Sequence, residues 1–205
     1  MSLAFDTSSV FGQAIEDHLA VIDSLRGQQS LLQGIAEEMT RAILARKKIL
    51  WCGNGGSAAD SQHFAAELMG RFRRERCAFP SIALTTDTSI LTAVGNDYGY
   101  ERVFQRQVEA LCNKGDVLVG ISTSGSSKNV YAALQTARQI GAFTVAFTGQ
   151  GGGKIATIAK VSLRIPSEDT ARIQEGHLFC GHILCDWVER SVCERQSEMA
   201  KAVVR

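Results

Sequence analysis

Two side chains in the first half of the sequence, His63 and Glu67, have the types and spacing that proton transfer or metal binding requires. They stand four residues apart, so on a helix they would share one face about one turn apart. A helix presents two ligands to one metal in this way, or a base with the group that orients it. An exposed helical pair without function has the same spacing, so the pair alone leaves both interpretations open.

A second polar group lies near the carboxyl end of the chain. Arg172, Gln174 and Glu175 precede two histidines, His177 and His182. The apolar neighbours of His182 predict a partly buried imidazole. Such a histidine either makes a structural hydrogen bond or takes part in chemistry, and its local sequence does not decide between the two.

Two loops suit a phosphorylated ligand rich in hydroxyl groups. The segment 122–127 offers four serines, a threonine and a glycine, whose hydroxyls and amides can surround a phosphate without a fixed positive charge. The segment 54–57 contains paired glycines that let the backbone approach a ligand closely. Serine and asparagine are also common helix caps, so each loop alone allows either interpretation. Together they favour a phosphate and a polyol.

Three other motifs fail as binding signatures. The segment 149–154 resembles a P-loop, but its glycine interval is one residue short and Ile155 stands where serine or threonine is needed. We interpret it as a turn entering a short helix. No GxGxxG motif follows the first apolar run, which disfavours a dinucleotide fold. The arginines at 71, 73, 74 and 76 are more typical of a solvated helix end than of a nucleic-acid surface.

The scaffold that must position these residues is indicated by alternating apolar runs and helical patterns. Two helices are predicted before residue 46, and five buried strands at 48–52, 81–84, 116–121, 143–147 and 161–165. Helical segments between and after them are predicted to about residue 72 and at 89–94, 101–111, 129–140 and 170–195. The alternation predicts an α/β three-layer sandwich of doubly wound type, with a five-stranded parallel sheet. We expect one domain over 1–205: N-terminal helices at 1–46 and an α/β core at 47–205.

Composition excludes several classes of partner. The net charge of the 205 residues is +1, so no bulk electrostatic attraction to nucleic acid or an acidic membrane is expected. No apolar run of about 18 residues exists, and residues 1–6 lack the pattern of a signal peptide. The six cysteines form no CxxC pair, which predicts reduced thiols. We therefore predict a cytoplasmic protein without nucleic-acid or membrane partners.

Four segments in this order resemble motifs of the phosphoheptose isomerases, a family built on a single sugar isomerase (SIS) domain. They are 52–68, 95–99, 120–125 and 172–175 with His182, and the resemblance covers nearly the whole chain after the first helix. It implies a homotetramer with active sites at subunit interfaces. It also implies conversion of sedoheptulose 7-phosphate to D-glycero-D-manno-heptose 7-phosphate, the first step of heptose biosynthesis for lipopolysaccharide.

The resemblance further implies roles for individual residues. Glu67 and His182 would be the acid–base pair, and a zinc ion in each active site would be held by His63, Glu67, Gln174 and His182. The sugar phosphate would be contacted by Asn54, Gly55, Gly56, Glu67, Asn96, Asp97, Ser122, Thr123, Ser124, Ser127 and Gln174. Gln174 and His182 stand eight apart, about 12 Å along a continuous helix. If both bind one metal, the helix must begin late or bend, or the two must come from different subunits.

Two other functional classes stay open. A non-enzymatic relative of the family binds the bacterial replication initiator, but there the second glycine and the glutamate of the first motif differ. Here Gly56 and Glu67 are both present, as is His182. A regulatory or amino-sugar-handling member of the superfamily would share the serine-rich loop. The pairs His63/Glu67 and Gln174/His182 argue against it.

Overall fold

A five-stranded, wholly parallel sheet forms the centre of the protein in the computed structural model, which describes residues 7–203. The strand order is β2-β1-β3-β4-β5, so neighbouring β1 and β3 are joined by a crossover through the edge strand β2. The strands span Ile49–Gly53 (β1), Ser81–Ala83 (β2), Val117–Ser122 (β3), Phe143–Gly149 (β4) and Val161–Ile165 (β5). The predicted sheet is confirmed. The segment 1–6, where we expect no signal peptide, lies outside the described residues.

The central strands are buried because both faces of the sheet are covered. Every residue of β1 and of β3 is buried, which explains why these strands appear in the sequence as continuous apolar runs rather than alternating ones. The register pairs Ile49 with Ser81 on one side and with Val117 on the other. The indole of Trp51 donates a 2.9 Å hydrogen bond to the Ser81 hydroxyl, which satisfies a polar group inside the core.

Eight α-helices in the described residues form the two outer layers. α2, α3 and α8 pack with the end of α1 on one face, while α5, α6 and α7 cover the other. The bounds are Thr7–Ser24 (α1), Gln29–Leu44 (α2), Gly56–Met69 (α3), Thr88–Tyr98 (α4), Val103–Leu111 (α5), Lys128–Ile140 (α6), Gly153–Ile158 (α7) and Thr170–Val203 (α8). Short 3-10 turns precede α2 and α5. The three-layer prediction is confirmed.

Two helices are longer than their patterns predict. α4 begins after Asp87, whose carboxylate caps the helix by accepting from the Ile90 N–H at 2.9 Å, and it continues to Tyr98. No α4 residue is fully buried, so the apolar periodicity that marks other helices is weak there. α8 runs past residue 195 to Val203 as one helix. Residues 194–199 of α8 are exposed and mostly polar, so apolar spacing does not reveal this end of the helix.

The close approach of α3 and α8 brings together two segments that lie more than 100 residues apart in the sequence. A Cβ atom at Gly181 of α8 would lie 2.1 Å from the Phe64 ring of α3, so only glycine permits this spacing. Phe64 in turn packs on Trp51 of β1, with ring centroids 5.2 Å apart. The side chains on the facing sides of α3 and α8 therefore meet across a short distance.

Two further expectations concern thiols and membranes. All six cysteines are free, and four of them are buried. Burial raises the pKa of the Cys52 thiol to about 12, so that group is inert at neutral pH. Within residues 7–203, no helix combines the length and apolar character that crossing a bilayer requires. The cytoplasmic location and the absence of nucleic-acid partners stay predictions.

Candidate active site and metal centre

His63, Glu67 and His182 form one cluster where α3 faces α8. Their nitrogen and oxygen ligand atoms all lie within 4.8 Å of one another. The Nε2 atoms of the two histidines are 2.7 Å apart, and Nε2 of His63 lies 3.5 Å from Oε1 of Glu67. The local sequence alone leaves the roles of these residues open. The structure brings the helical pair His63 and Glu67 together with the distant His182 in one site.

The cluster is partly accessible, as a reacting site must be. The side chains of His63 and Glu67 are 43% and 23% exposed, and His182 is half-buried. The Phe72 ring stacks on the His182 imidazole, with centroids 5.6 Å apart and planes 29° apart. Burial, and then the positive charge that His63 can carry, lowers the pKa of His182, although Glu67 opposes the shift. His182 is therefore held in the neutral form that binds metals and accepts protons.

The cluster fits a divalent metal by its donor set. Two imidazole nitrogens and one carboxylate oxygen are the three protein ligands of many catalytic zinc sites, which leave a fourth position for substrate or water. The 2.7 Å separation of the two Nε2 atoms is that of an N–H···N hydrogen bond, so one ring donates to the other, whereas a metal ion would take both nitrogens unprotonated. The three residues therefore supply, within one small cluster, the donor atoms of a divalent metal site.

The hydroxyl-rich turn 122–127 connects β3 to α6. The Ser122 and Ser127 hydroxyls lie 2.9 Å apart, and those of Ser124 and Ser126 lie 2.8 Å apart. Gly125 occupies the left-handed region at φ +64°. The hydroxyls are thus gathered at the carboxyl end of a central strand, where open parallel sheets bind ligands.

The segment 149–155, which resembles a P-loop in sequence, supports this turn through the main chain. The Ile155 N–H donates to the Gly125 carbonyl at 3.0 Å, and the Gly149 N–H donates to the Thr123 carbonyl at 2.9 Å. Glycine is needed because a Cβ atom at Gly125 would lie 2.2 Å from the Gly152 carbonyl oxygen. The segment is a turn that enters the short helix α7, as the spacing predicts.

The loop after β1 lies beside this turn, because β1 and β3 are neighbours in the sheet. Asn54 exchanges side-chain amide hydrogen bonds of 2.9 and 2.8 Å with Asn129, and the Tyr100 hydroxyl donates to Asn54 at 3.3 Å. Asn96 donates to Asp97 at 2.8 Å at the exposed end of α4. Our sequence reasoning missed Asn129 and Tyr100. An amide at the second position of the helix after the serine-rich loop was the available signal for Asn129.

Gln174 lies beside the loop that follows β1 and not with the cluster of His63, Glu67 and His182. A Cβ atom at Gly56 would be 2.4 Å from its Nε2 atom, so Gln174 contacts the start of α3. Because α8 is one helix, Gln174 and His182 are about 12 Å apart along its axis. Within one chain the structure therefore does not bring Gln174 to the other three residues. Its assignment as a metal ligand stays a prediction that requires a second copy of the chain.

His177, the other histidine of α8, is fully buried against the sheet. Its Nε2 atom lies 3.1 Å from the Thr148 carbonyl oxygen, so that nitrogen carries the proton and donates. Nδ1 has no hydrogen-bond partner among the described residues. Burial lowers the pKa of His177 to about 4, although the hydrogen bond to Thr148 opposes the shift. The imidazole is neutral in the folded protein throughout the physiological range.

This burial should make stability fall in mild acid. The unfolded chain binds a proton at His177 with the ordinary pKa of about 6.5, and the folded protein does not until about pH 4. The free energy of unfolding is therefore not reduced by His177 above pH 6.5. Between pH 6.5 and pH 4 it falls by on the order of 3 kcal/mol because of this group. Urea unfolding of wild type and His177→Gln between pH 7.5 and 4.5 should show a shallower fall in the variant. His18→Gln, at a half-exposed histidine that pairs with Glu175, is the control, and equal slopes for all three proteins would contradict the assignment.

Comparisons with known proteins agree on one family. The family model described as the SIS domain matches residues 13–149. The phosphoheptose isomerase of Aquifex aeolicus is 54% identical over 186 residues, covering 91% of this chain and 96% of that protein. The one from Geotalea uraniireducens is 52% identical over 177 residues, covering 86% and 94%.

Solved structures give the same result. The phosphoheptose isomerase of Neisseria gonorrhoeae superposes with a TM-score of 0.80 at 45% identity, covering 89% of this chain and 96% of that one. The corresponding structure from Francisella tularensis gives 0.83 at 35% identity, covering 93% and 100%. The NanR protein of Vibrio vulnificus complexed with ManNAc-6P gives a TM-score of 0.61 at 21% identity over 98% of this chain and 72% of that one, which shows the fold alone.

Proposed function

Because the chain belongs to the phosphoheptose isomerase family of SIS-domain proteins, we propose that its cluster of His63, Glu67 and His182 catalyses aldose–ketose isomerisation. The protein is an isomerase of heptose biosynthesis that interconverts sedoheptulose 7-phosphate and D-glycero-D-manno-heptose 7-phosphate. Binding of the replication initiator is not favoured, since the curated relatives at about half identity are named as isomerases.

The proximity of Glu67 and His182, whose ligand atoms lie within 4.8 Å of each other, carries the mechanistic proposal. Isomerisation removes a proton from C1 of the ketose, beside the C2 carbonyl, and forms an enediol. A proton is then returned to C2 while the C1 hydroxyl becomes the aldehyde. Glu67 would take and return the carbon-bound proton, and His182 would move the proton between the two oxygens. The two residues of the partly buried cluster therefore account for both proton transfers, the one between the carbons and the one between the oxygens.

We propose that zinc is the metal at this site, held by His63, Glu67 and His182 of one chain. Imidazole and carboxylate ligands in this number suit zinc. When bound, it would supply Lewis-acid polarisation of the substrate oxygens that become the enediol. Nothing in the donor set requires a redox metal.

Chelation tests the metal directly. Treatment with dipicolinate followed by dialysis should remove about one zinc per chain, as measured by plasma mass spectrometry, and should lower activity or thermal stability. Restoring zinc should reverse the loss, whereas magnesium should not, because the site is rich in nitrogen ligands. His63→Ala serves as the control, since it should bind zinc weakly before any treatment. Unchanged activity and stability after complete chelation would remove zinc from the mechanism.

We also propose a homotetramer with active sites shared between subunits. Glu67 stands 11 residues after Gly56, about 16 Å along α3, so the loop after β1 and the cluster lie at opposite ends of this helix. A substrate anchored at the phosphate loops of one chain would therefore meet the cluster of another. The exposed apolar residues of α1 and α8 supply a surface for such contacts: Val10, Phe11, Ile15, Leu19, Leu178 and Phe179. Light scattering should give a mass of four chains.

Proton NMR tests the function as a whole. Purified protein incubated with sedoheptulose 7-phosphate should produce the anomeric proton signals of the aldose. In deuterium oxide the product should carry deuterium at C2, because the proton returned to the enediol exchanges with solvent. A folded, metal-loaded protein that forms no product would overturn the proposal. Product formed without deuterium uptake would argue for direct hydride transfer instead of an enediol.

A further inference from the structure

The side-chain carboxylate of Glu189 on α8 is buried, and it accepts four hydrogen bonds from one loop. Its side chain is 0% exposed. The backbone N–H groups of Phe72, Arg73 and Arg74 donate to it at 2.9, 2.9 and 2.7 Å. The Arg76 guanidinium adds a fourth bond at 3.2 Å. Glu189 therefore determines the path of residues 72–76, the loop that follows α3.

Arg76 connects this carboxylate to the end of α3. Its side chain is 3% exposed, lies over the Phe79 ring at 3.9 Å, and donates to the carbonyls of Gly70 and Cys77. It also donates to the main-chain carbonyl of Glu67 at 3.0 Å. The last turn of α3, from which the Glu67 side chain projects, is thus held through Arg76 to Glu189.

The same loop places an aromatic ring on His182. Phe72, whose N–H is bound by Glu189, stacks on the imidazole at 5.6 Å. Glu189 and His182 stand seven residues apart, two turns along the same face of α8. One buried carboxylate therefore supports, by two separate routes, both members of the acid–base pair.

The ionised carboxylate of Glu189 accepts a hydrogen bond from each of these donors. Burial on its own would raise the pKa of this carboxyl, but the three backbone N–H groups and Arg76 outweigh it, and the pKa lies below its usual value. A neutral amide in its place would present N–H hydrogens to some of these donors. Glu189→Gln should therefore displace the loop without creating a cavity.

We propose that Glu189 is a positioning residue for the isomerase, which sets Glu67 through Arg76 and His182 through Phe72. The proposal rests on the proposed function, because it takes Glu67 and His182 as the reacting groups. The competing possibility is that Glu189 stabilises the fold alone. A positioning role predicts a lower kcat for each folded molecule when Glu189 is replaced. A purely structural role predicts fewer folded molecules with an unchanged kcat.

The experiment compares Glu189→Gln with Phe72→Leu and with Glu194→Gln, an exposed glutamate on the same helix as the control. Steady-state kinetics are measured on protein whose folded fraction is known from circular dichroism. We expect kcat to fall about 10- to 100-fold in Glu189→Gln with KM changed less than about twofold, since displacement of a reacting group by about 1 Å has that effect. The control should match wild type.

A second readout does not depend on turnover. The ring protons of His182 are shielded by the stacked Phe72 ring, so their NMR signals in the substrate-free protein should shift downfield in both Glu189→Gln and Phe72→Leu. Lower thermal stability with unchanged kcat and unchanged His182 signals would overturn the proposal and leave a structural role. If Glu189→Gln does not fold, the kcat and the His182 signals of Phe72→Leu test whether Phe72 positions His182. If wild type shows no isomerase activity, the proposed function fails, while the His182 signals still report positioning.

Discussion

Replacing Glu67 with glutamine should lower kcat by about 10²- to 10⁴-fold, the contribution expected of a general base. Glutamine has the same shape but cannot take the proton from the substrate carbon. The side chain is partly exposed, and among the described residues its ion pair is with His63 one turn away on α3, so the fold should persist. Turnover is measured by the NMR assay, and folding by circular dichroism. Glu37→Gln, at an exposed glutamate of α2, is the matched control and should keep full activity.

The metal content of the variant separates two reasons for the loss. Glu67 is both the proposed base and one of the three clustered ligands, so its replacement could act through either role. A large loss of kcat with zinc retained would identify proton transfer as the function removed. Loss of zinc together with activity, reversed by excess zinc, would indicate a ligand role alone. Near-normal turnover would reject the assignment of Glu67.

The second large effect is expected at Gly125, in the hydroxyl-rich turn. Gly125→Ala places a side chain at φ +64°, which costs about 1–2 kcal/mol for a residue other than glycine. Its Cβ atom would also lie 2.2 Å from the Gly152 carbonyl oxygen and 2.8 Å from the Gly153 nitrogen. These are main-chain atoms that cannot rotate away, so overpacking adds about 1–3 kcal/mol. We expect a melting temperature lower by roughly 5–15 °C.

The same substitution should weaken binding of the sugar phosphate, because the displaced turn carries the proposed phosphate hydroxyls. KM should rise and kcat should change less, since the cluster lies on other elements. Gly141→Ala is the control: it also has a positive φ of +93°, but its nearest neighbour is the flexible side chain of Lys114 at 3.3 Å. A similar rise in KM for both variants would show that backbone strain alone, and not the contact with 152–153, is responsible.

Much of the scaffold was predictable because its signals are local. All five strands occur within one or two residues of their predicted positions, because the buried strands β1 and β3 are near-continuous apolar runs and the edge strand β5 alternates apolar and polar residues. The ends of α4 and α8 were not predictable, because residues 96–98 and 194–199 are exposed and lack apolar periodicity. The meeting of His63, Glu67 and His182 was expected from the resemblance. The structure places them together in a single chain.

The sequence by itself determined the alternation of strands and helices, the position of the hydroxyl-rich turn and the shared face of His63 and Glu67. Each depends on residues close along the chain. Apart from the family resemblance, only the tertiary structure decided which histidine of α8 joins the cluster. His177 and His182 are five residues apart, about 140° around the helix axis, so one enters the core and the other faces α3. That choice depends on how α8 is rotated against the sheet, which packing at Gly181 sets and no local pattern records.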